Sequence, residues 1–155
     1  MQDEFIAEYQ KIERSLYLTA LGYLKNTEDA RDAVQDAVMA AYKAYPKLRH
    51  REYFKSWMTR IVINECKDYW KKRKPTEELT DDLGILSELP AEELELMSAI
   101  LKLEASLSRF LVLRFYNSLT YRETAKVLKM PESTVKHKTN LALETLKKAL
   151  EGDEA

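Results

Sequence analysis

Cysteine occurs once in the 155 residues, at Cys66, so no internal disulfide can form. Histidine occurs twice, at His50 and His137, and with a single cysteine this leaves no zinc-ligand spacing. Three glycines and four prolines are few. Strands bounded by turn clusters are missing, and apolar residues recur at helical steps, so the expected fold class is all-α. No apolar run approaches the roughly 18 residues of a membrane span. The first residues, MQDEFIAEYQKIERS, lack the basic start and apolar stretch of a secretory signal. The expectation is a cytoplasmic protein with no direct membrane insertion. There is no nucleophile–base set, no metal-ligand cluster and no phosphate-cradling glycine loop. No enzyme, catalytic residue, metal, cofactor or small-molecule substrate is therefore expected.

What the chain does have is charge in blocks. Apolar residues make up 45% and charged residues 33%, enough for one ordinary domain or two small ones. The net charge is only −1. Residues 1–42 nevertheless carry 4 basic and 8 acidic side chains, and residues 43–75 carry 11 and 3. Residues 76–106 carry 1 and 9, and residues 107–150 carry 9 and 3. Two basic blocks thus flank an acidic one. Chance clustering on solvated helices is one explanation. Two separate contacts with a polyanion, joined by an acidic connector, is the other.

The first helix is expected over Asp3 to Leu24, with Phe5, Tyr9, Ile12, Leu16, Ala20 and Tyr23 as its apolar stripe. Asn26 or Thr27 caps a second helix that ends where Pro46 stops it. Its inner face is Ala30, Ala33, Val34, Ala37, Val38 and Ala41. Another face carries Asp29, Asp32, Gln35 and Asp36, either simply solvated or a docking face for a basic partner. A third helix is expected from Tyr53 to Lys74, with Phe54, Trp57, Met58, Ile61, Val62, Cys66 and Tyr69 inward. Arg60, Asn64, Lys67, Lys71 and Lys74 follow at steps of four and three along another face. That stripe covers about 20 Å of helix, with a cation nearly every turn, and can follow a phosphate backbone. Asn64 alone among them could also read a base edge.

Pro75 closes this unit. The stretch 76–92 reads as an acidic linker, within which LGIL is a candidate docked element. Core positions of the second unit are expected at Leu94, Met97, Leu101, Leu107, Leu111 and Phe115. Thr120 and Glu123 then form a capping box that starts a short helix. A break at Lys129–Pro131 follows, and a longer helix runs from Glu132 to Leu150 with Val135, Ala142, Leu146 and Leu150 inward. Short helix, tight turn and longer helix make a helix-turn-helix, whose second helix presents its N-terminal residues to the DNA major groove. Here those are Ser133, Thr134, Lys136, His137, Lys138 and Asn140.

Three of these segments together resemble a known family. NTEDARDAVQDAVMAAYK, YFKSWMTRIVINECKDYWKKRK and LTYRETAKVLKMPESTVKHKTNLALETL resemble, in order, two parts of region 2 and the region 4 motif of bacterial sigma factors. The small two-domain, extracytoplasmic-function type is the one resembled, over about residues 5–150. The resemblance implies two small helical domains, residues 1–75 and 93–155, joined by the acidic linker 76–92. It implies core RNA polymerase and promoter DNA as partners, a role in stress response, and control by an anti-sigma factor. By position, Asp29, Asp32, Gln35 and Asp36 would dock on the polymerase. Arg49, Tyr53, Lys55, Arg60, Asn64, Lys67 and Lys71 would hold the melted −10 strand. Ser133, Thr134, Lys136, His137 and Lys138 would read the −35 element as duplex. The chain departs from the family's pattern at Lys129, where a turn glycine is usual, at Ser133, where a glycine precedes Thr-Val, and at Leu141 and Leu143, where arginines are usual. Packing within the unit is the expected place of both leucines. Trp57 matches a family tryptophan, but its place in the apolar stripe favours the core. A stand-alone helix-turn-helix regulator is the alternative reading.

Overall fold

The computed structural model describes residues 2–73 and 88–154. Lys74, Pro75 and the linker residues 76–87, LGIL included, lie outside the described residues. Seven helices are described: α1 (Gln2–Leu24), α2 (Thr27–Ala44), α3 (Phe54–Arg73), α4 (Ala91–Leu101), α5 (Ala105–Leu111), α6 (Tyr121–Leu128) and α7 (Glu132–Glu154). No strand occurs among the described residues. The all-α expectation holds, and α1 to α3 form one helical unit and α4 to α7 a second.

Local chemistry places the boundaries. Leu24 is followed by Lys25 in left-handed conformation (φ 57°), whose amide returns to the Leu21 carbonyl at 2.8 Å and closes α1. Asn26 then caps α2, its side chain accepting from the Asp29 amide at 2.9 Å. Pro46 sits in a 3₁₀ turn, Tyr45–Lys47, that ends α2. A second 3₁₀ turn, Arg51–Tyr53, leads into α3. The Thr120–Glu123 capping box is fully made, with both hydrogen bonds at 3.0 Å. Lys129 takes the left-handed geometry (φ 56°, ψ 50°) usual for glycine, at a cost of about 1 kcal/mol.

In the first unit the three helices pack mutually through the expected stripes. Phe5, Tyr9, Tyr42, Tyr45, Phe54 and Trp57 form an aromatic cluster with ring centroids 5.3–6.4 Å apart. Such pairs add about 0.5–1.5 kcal/mol each beyond simple burial. In the second unit α7 packs on α4, α5 and α6.

Four packing assignments change. Phe115 is 56% exposed rather than buried. Residues Val112–Tyr116 form a π turn, with the Asn117 amide bonded to the Val112 carbonyl, and its extra residue per turn breaks the four-residue step from Leu111. Val112 and Leu113 face inward instead. Leu150 is 39% exposed, because the buried face of α7 ends at Leu146. Leu141 and Leu143, expected to pack, are 44% and 37% exposed, on either side of the buried Ala142.

The two units also pack on each other, with one hydrophobic core running through both. α1 lies against α5 and the π turn, and α3 lies against α6. The second half of α1 is accordingly buried nearly all round, at Leu18, Thr19, Leu21, Gly22 and Leu24 as well as along its stripe. Lys25 is fully buried at this junction. Its ammonium donates to the Leu101 carbonyl (2.5 Å), the Leu103 carbonyl (2.9 Å) and Ser108 Oγ (2.9 Å). Nearby, the Asn117 side-chain amide donates to Thr19 Oγ1 at 2.7 Å, and the Arg109 guanidinium lies 4.4 Å over the Tyr23 ring.

Candidate nucleic-acid interface

Helix phase brings Arg60, Asn64, Lys67 and Lys71 onto one exposed face of α3. Arg49 and Tyr53 are exposed on the connection that precedes the helix. Arg51 fixes that connection: its guanidinium donates to Glu4 Oε2 at 2.8 Å and lies 4.4 Å over the Tyr45 ring. The same bond holds the Glu4 carboxyl below its usual pKa. Arg49, Tyr53 and Arg60 meet around a cavity of about 400 Å³, which Leu48, His50 and Trp57 also line. Trp57 belongs both to this wall and to the core, since its ring leans on Phe54 and Tyr45 while it remains half-buried. Lys55 is not brought to this face. It sits half-buried in the first turn of α3, on the side of the helix that borders α1, in a cleft with Gln10, Arg14 and Tyr17.

On α2, Gln35 and Asp36 are exposed, while Asp29 and Asp32 are half-buried. Asp36 lines a cavity of about 180 Å³ with Glu65, Asp68, Tyr69 and Lys72 of α3. The acidic surface therefore spans two helices, and Glu65 and Asp68 belong to it. Glu65 shows the effect: burial, then the neighbouring Asp36 and Asp68 charges, push its carboxyl pKa up. Charge periodicity within α2 alone gave no sign of this. The i, i+3 step from Glu65 to Asp68 was its only trace in the sequence.

The start of α7 is exposed as the helix-turn-helix pattern requires. Ser133, Lys136, His137 and Asn140 point outward, opposite the buried Val135, Thr139 and Ala142. Thr134 and Lys138 are half-buried at the flanks. A further group, not singled out from sequence, supports Lys136. Its ammonium lies 5.8 Å from the Tyr121 ring centroid, and Arg114 lies 4.9 Å from the same ring. One aromatic ring thus carries two cations beside the start of α7, each held by its quadrupole. Among the described residues no group of histidine, cysteine or acidic side chains could hold a metal ion, and no helix is long and apolar enough to cross a membrane.

Comparison with known proteins agrees with this geometry. Residues 9–76 match the model of sigma-70 region 2, and residues 93–146 match that of sigma-70 region 4. The RNA polymerase sigma factor SigV of Bacillus subtilis is 28% identical over 138 residues, covering 86% of this chain and 83% of that protein. The RNA polymerase sigma-E factor of Streptomyces avermitilis is 30% identical over 128 residues, covering 79% of this chain and 72% of its own. Among solved structures, the sigma factor RpoE of Bartonella quintana, in complex with the anti-sigma factor NepR, superposes with a TM-score of 0.78 at 18% identity, over 96% of this chain and 97% of that one. With both regions matched in order and relatives of the same kind over most of their length, the chain belongs to the sigma-70 family, as an extracytoplasmic-function sigma factor of RNA polymerase.

Proposed function

We propose that this protein binds core RNA polymerase and directs it to promoters, with α3 and its preceding connection holding the −10 strand and the start of α7 reading the −35 duplex. The observation that carries this reading is the separation of three charged faces on one chain. A basic stripe on α3 and a basic helix start on α7 suit two parts of promoter DNA, and an acidic surface on α2 and α3 suits the polymerase. Arg49, Tyr53, Arg60, Asn64, Lys67 and Lys71 track the melted strand, with Tyr53 and Trp57 offering rings to unstacked bases. Ser133, Thr134, Lys136, His137 and Lys138 meet the major groove and its phosphates. Asp29, Asp32, Gln35 and Asp36 dock on the polymerase.

Residues 1–75 form the −10 domain and the unit that begins with α4 at Ala91 forms the −35 domain, and the acidic linker between them, expected over 76–92, threads the polymerase. The protein works in the cytoplasm as a binding subunit without catalysis of its own, and an anti-sigma factor restrains it. Its solved relative from Bartonella quintana was crystallised with such a partner. Charge reversal at Asp32 and Asp36 tests the docking assignment. The double variant should lose co-elution with core polymerase while keeping its helical signal. Co-elution as strong as that of the unaltered protein would remove α2 from the polymerase interface.

A further inference from the structure

One cavity belongs to none of the three charged faces. It has a volume of about 780 Å³ and is lined by the first half of α1, by single residues of α2 and α3, and by the turn at Tyr116 to Ser118. Neither the stripe from Arg60 to Lys71, nor the start of α7, nor Asp29, Asp32, Gln35 or Asp36 borders it. Lys55 does, so the side chain expected on the −10 strand is found here instead. The volume falls within the roughly 300–1,000 Å³ of small-molecule sites.

Three helices each contribute a cation to the wall: Arg14 from α1, Arg31 from α2 and Lys55 from α3. Among the described residues no carboxylate lies within 4.0 Å of Arg31 or Lys55. Arg14 reaches Glu88 only at 4.0 Å, both side chains are exposed, and such pairs hold little. Lys11 also borders the cleft, but Glu8 binds it at 3.0 Å. Glu13 is the remaining acid of the wall. Like charges gathered in one cleft repel, and a bound anion relieves that repulsion. Asn117, also on the wall, adds a polar demand. Its amide donates to Thr19 Oγ1 at 2.7 Å, while its side-chain oxygen is buried and has no partner in the protein. A buried acceptor of this kind calls for a donor, which a ligand hydroxyl or a water beneath the ligand supplies. Tyr17 and Tyr116, both half-buried on the wall, offer ring surface to a flat group.

We propose that this cleft binds a nucleoside diphosphate, with its phosphates shared among Arg14, Arg31 and Lys55 and its base against Tyr17 and Tyr116. A diphosphate spreads its charge over two groups, which suits cations drawn from three helices, and guanidinium groups take phosphate oxygens in pairs. The site uses no residue of the −35 reader or of the polymerase-docking face, so it stands or falls apart from the promoter reading.

ADP is the probe, titrated by calorimetry into the full chain at constant, physiological salt. It should bind saturably, and Arg14→Gln, Arg31→Gln and Lys55→Gln should each weaken binding about tenfold. Lys55→Arg, which keeps the charge, should bind as the unaltered protein does. Lys148→Gln, on the exposed surface of α7 and outside the cleft, should also leave binding unchanged. Adenosine should bind far more weakly than ADP. The three altered side chains are exposed or half-buried, so glutamine should leave the fold intact, and melting curves check this. No saturable binding into the millimolar range, an equal loss in Lys148→Gln, or adenosine bound as tightly as ADP would each overturn the proposal. The same phosphates could come from a nucleic-acid strand. Lys55→Gln should therefore hold a labelled 20-nucleotide mixed-sequence DNA single strand as tightly as the unaltered protein. A strand affinity that falls together with that for ADP would put the cleft on the path of DNA and overturn the proposal as well.

Discussion

Lys25→Met should change how stability depends on pH. Lys25 is fully buried, and burial together with the nearby Arg109 guanidinium lowers its pKa to about 8, although three oxygens accept from the ammonium. In the unfolded chain the same group titrates near 10.4. Below pH 8 both states hold the proton, and Lys25 adds no pH dependence. Between pH 8 and 10.4 the unfolded chain holds a proton that the folded chain has released, so stability rises with pH. Integrated from pH 7 to 10, the gain is roughly 2–3 kcal/mol. Methionine fills similar space and cannot titrate, so the variant lacks this gain. Tyr23, raised by burial to about 12, and Cys66, also raised by burial, act in the opposite sense above pH 9. Both remain in the variant and largely cancel in the comparison. Urea unfolding followed by far-ultraviolet circular dichroism at pH 7, 8.5 and 10 provides the measurement. The deficit of Lys25→Met should widen by roughly 2–3 kcal/mol across the range. A deficit constant to within about 0.5 kcal/mol would show that Lys25 is not held in a desolvated junction, and would refute the packing of α1 on α4 and α5.

Two further outcomes follow from single residues. Lys129→Gly should raise thermal stability by about 1 kcal/mol, because the left-handed geometry at this turn is free of strain for glycine; unchanged melting would mean that the lysine relaxes out of it. Lys136→Ala should weaken binding of the polymerase-bound protein to −35 duplex and flatten the salt slope by about one unit, with an unchanged slope in a salt titration counting against a phosphate contact.

Parts of this structure follow rules that act within a few residues, and these were legible in the sequence. The Thr120–Glu123 capping box, the α2 cap at Asn26 or Thr27, which the structure places at Asn26, and the turn at Lys129 need only neighbouring groups. The α3 stripe needs only the helical repeat, and Arg60, Asn64, Lys67 and Lys71 indeed share an exposed face. Phe115 was misplaced because a π turn changes the repeat without a local signature. Leu18, Leu21, Leu24 and Lys25 gave a different difficulty. One helix's pattern shows that a face will be covered, but not that residues some 80 positions later will cover a second face. For the same reason the meeting of Glu65 and Asp68 with Asp36, the Arg114–Tyr121–Lys136 group, and the position of α6 beside Arg49, Tyr53 and Arg60 emerge only from tertiary packing.

Run-off transcription with core RNA polymerase on a randomised promoter library tests the central claim most directly. Adding this protein should select a defined pair of elements near −35 and −10, with transcripts starting at a fixed distance downstream. Transcripts no more frequent or more focused than those of core polymerase alone would contradict it.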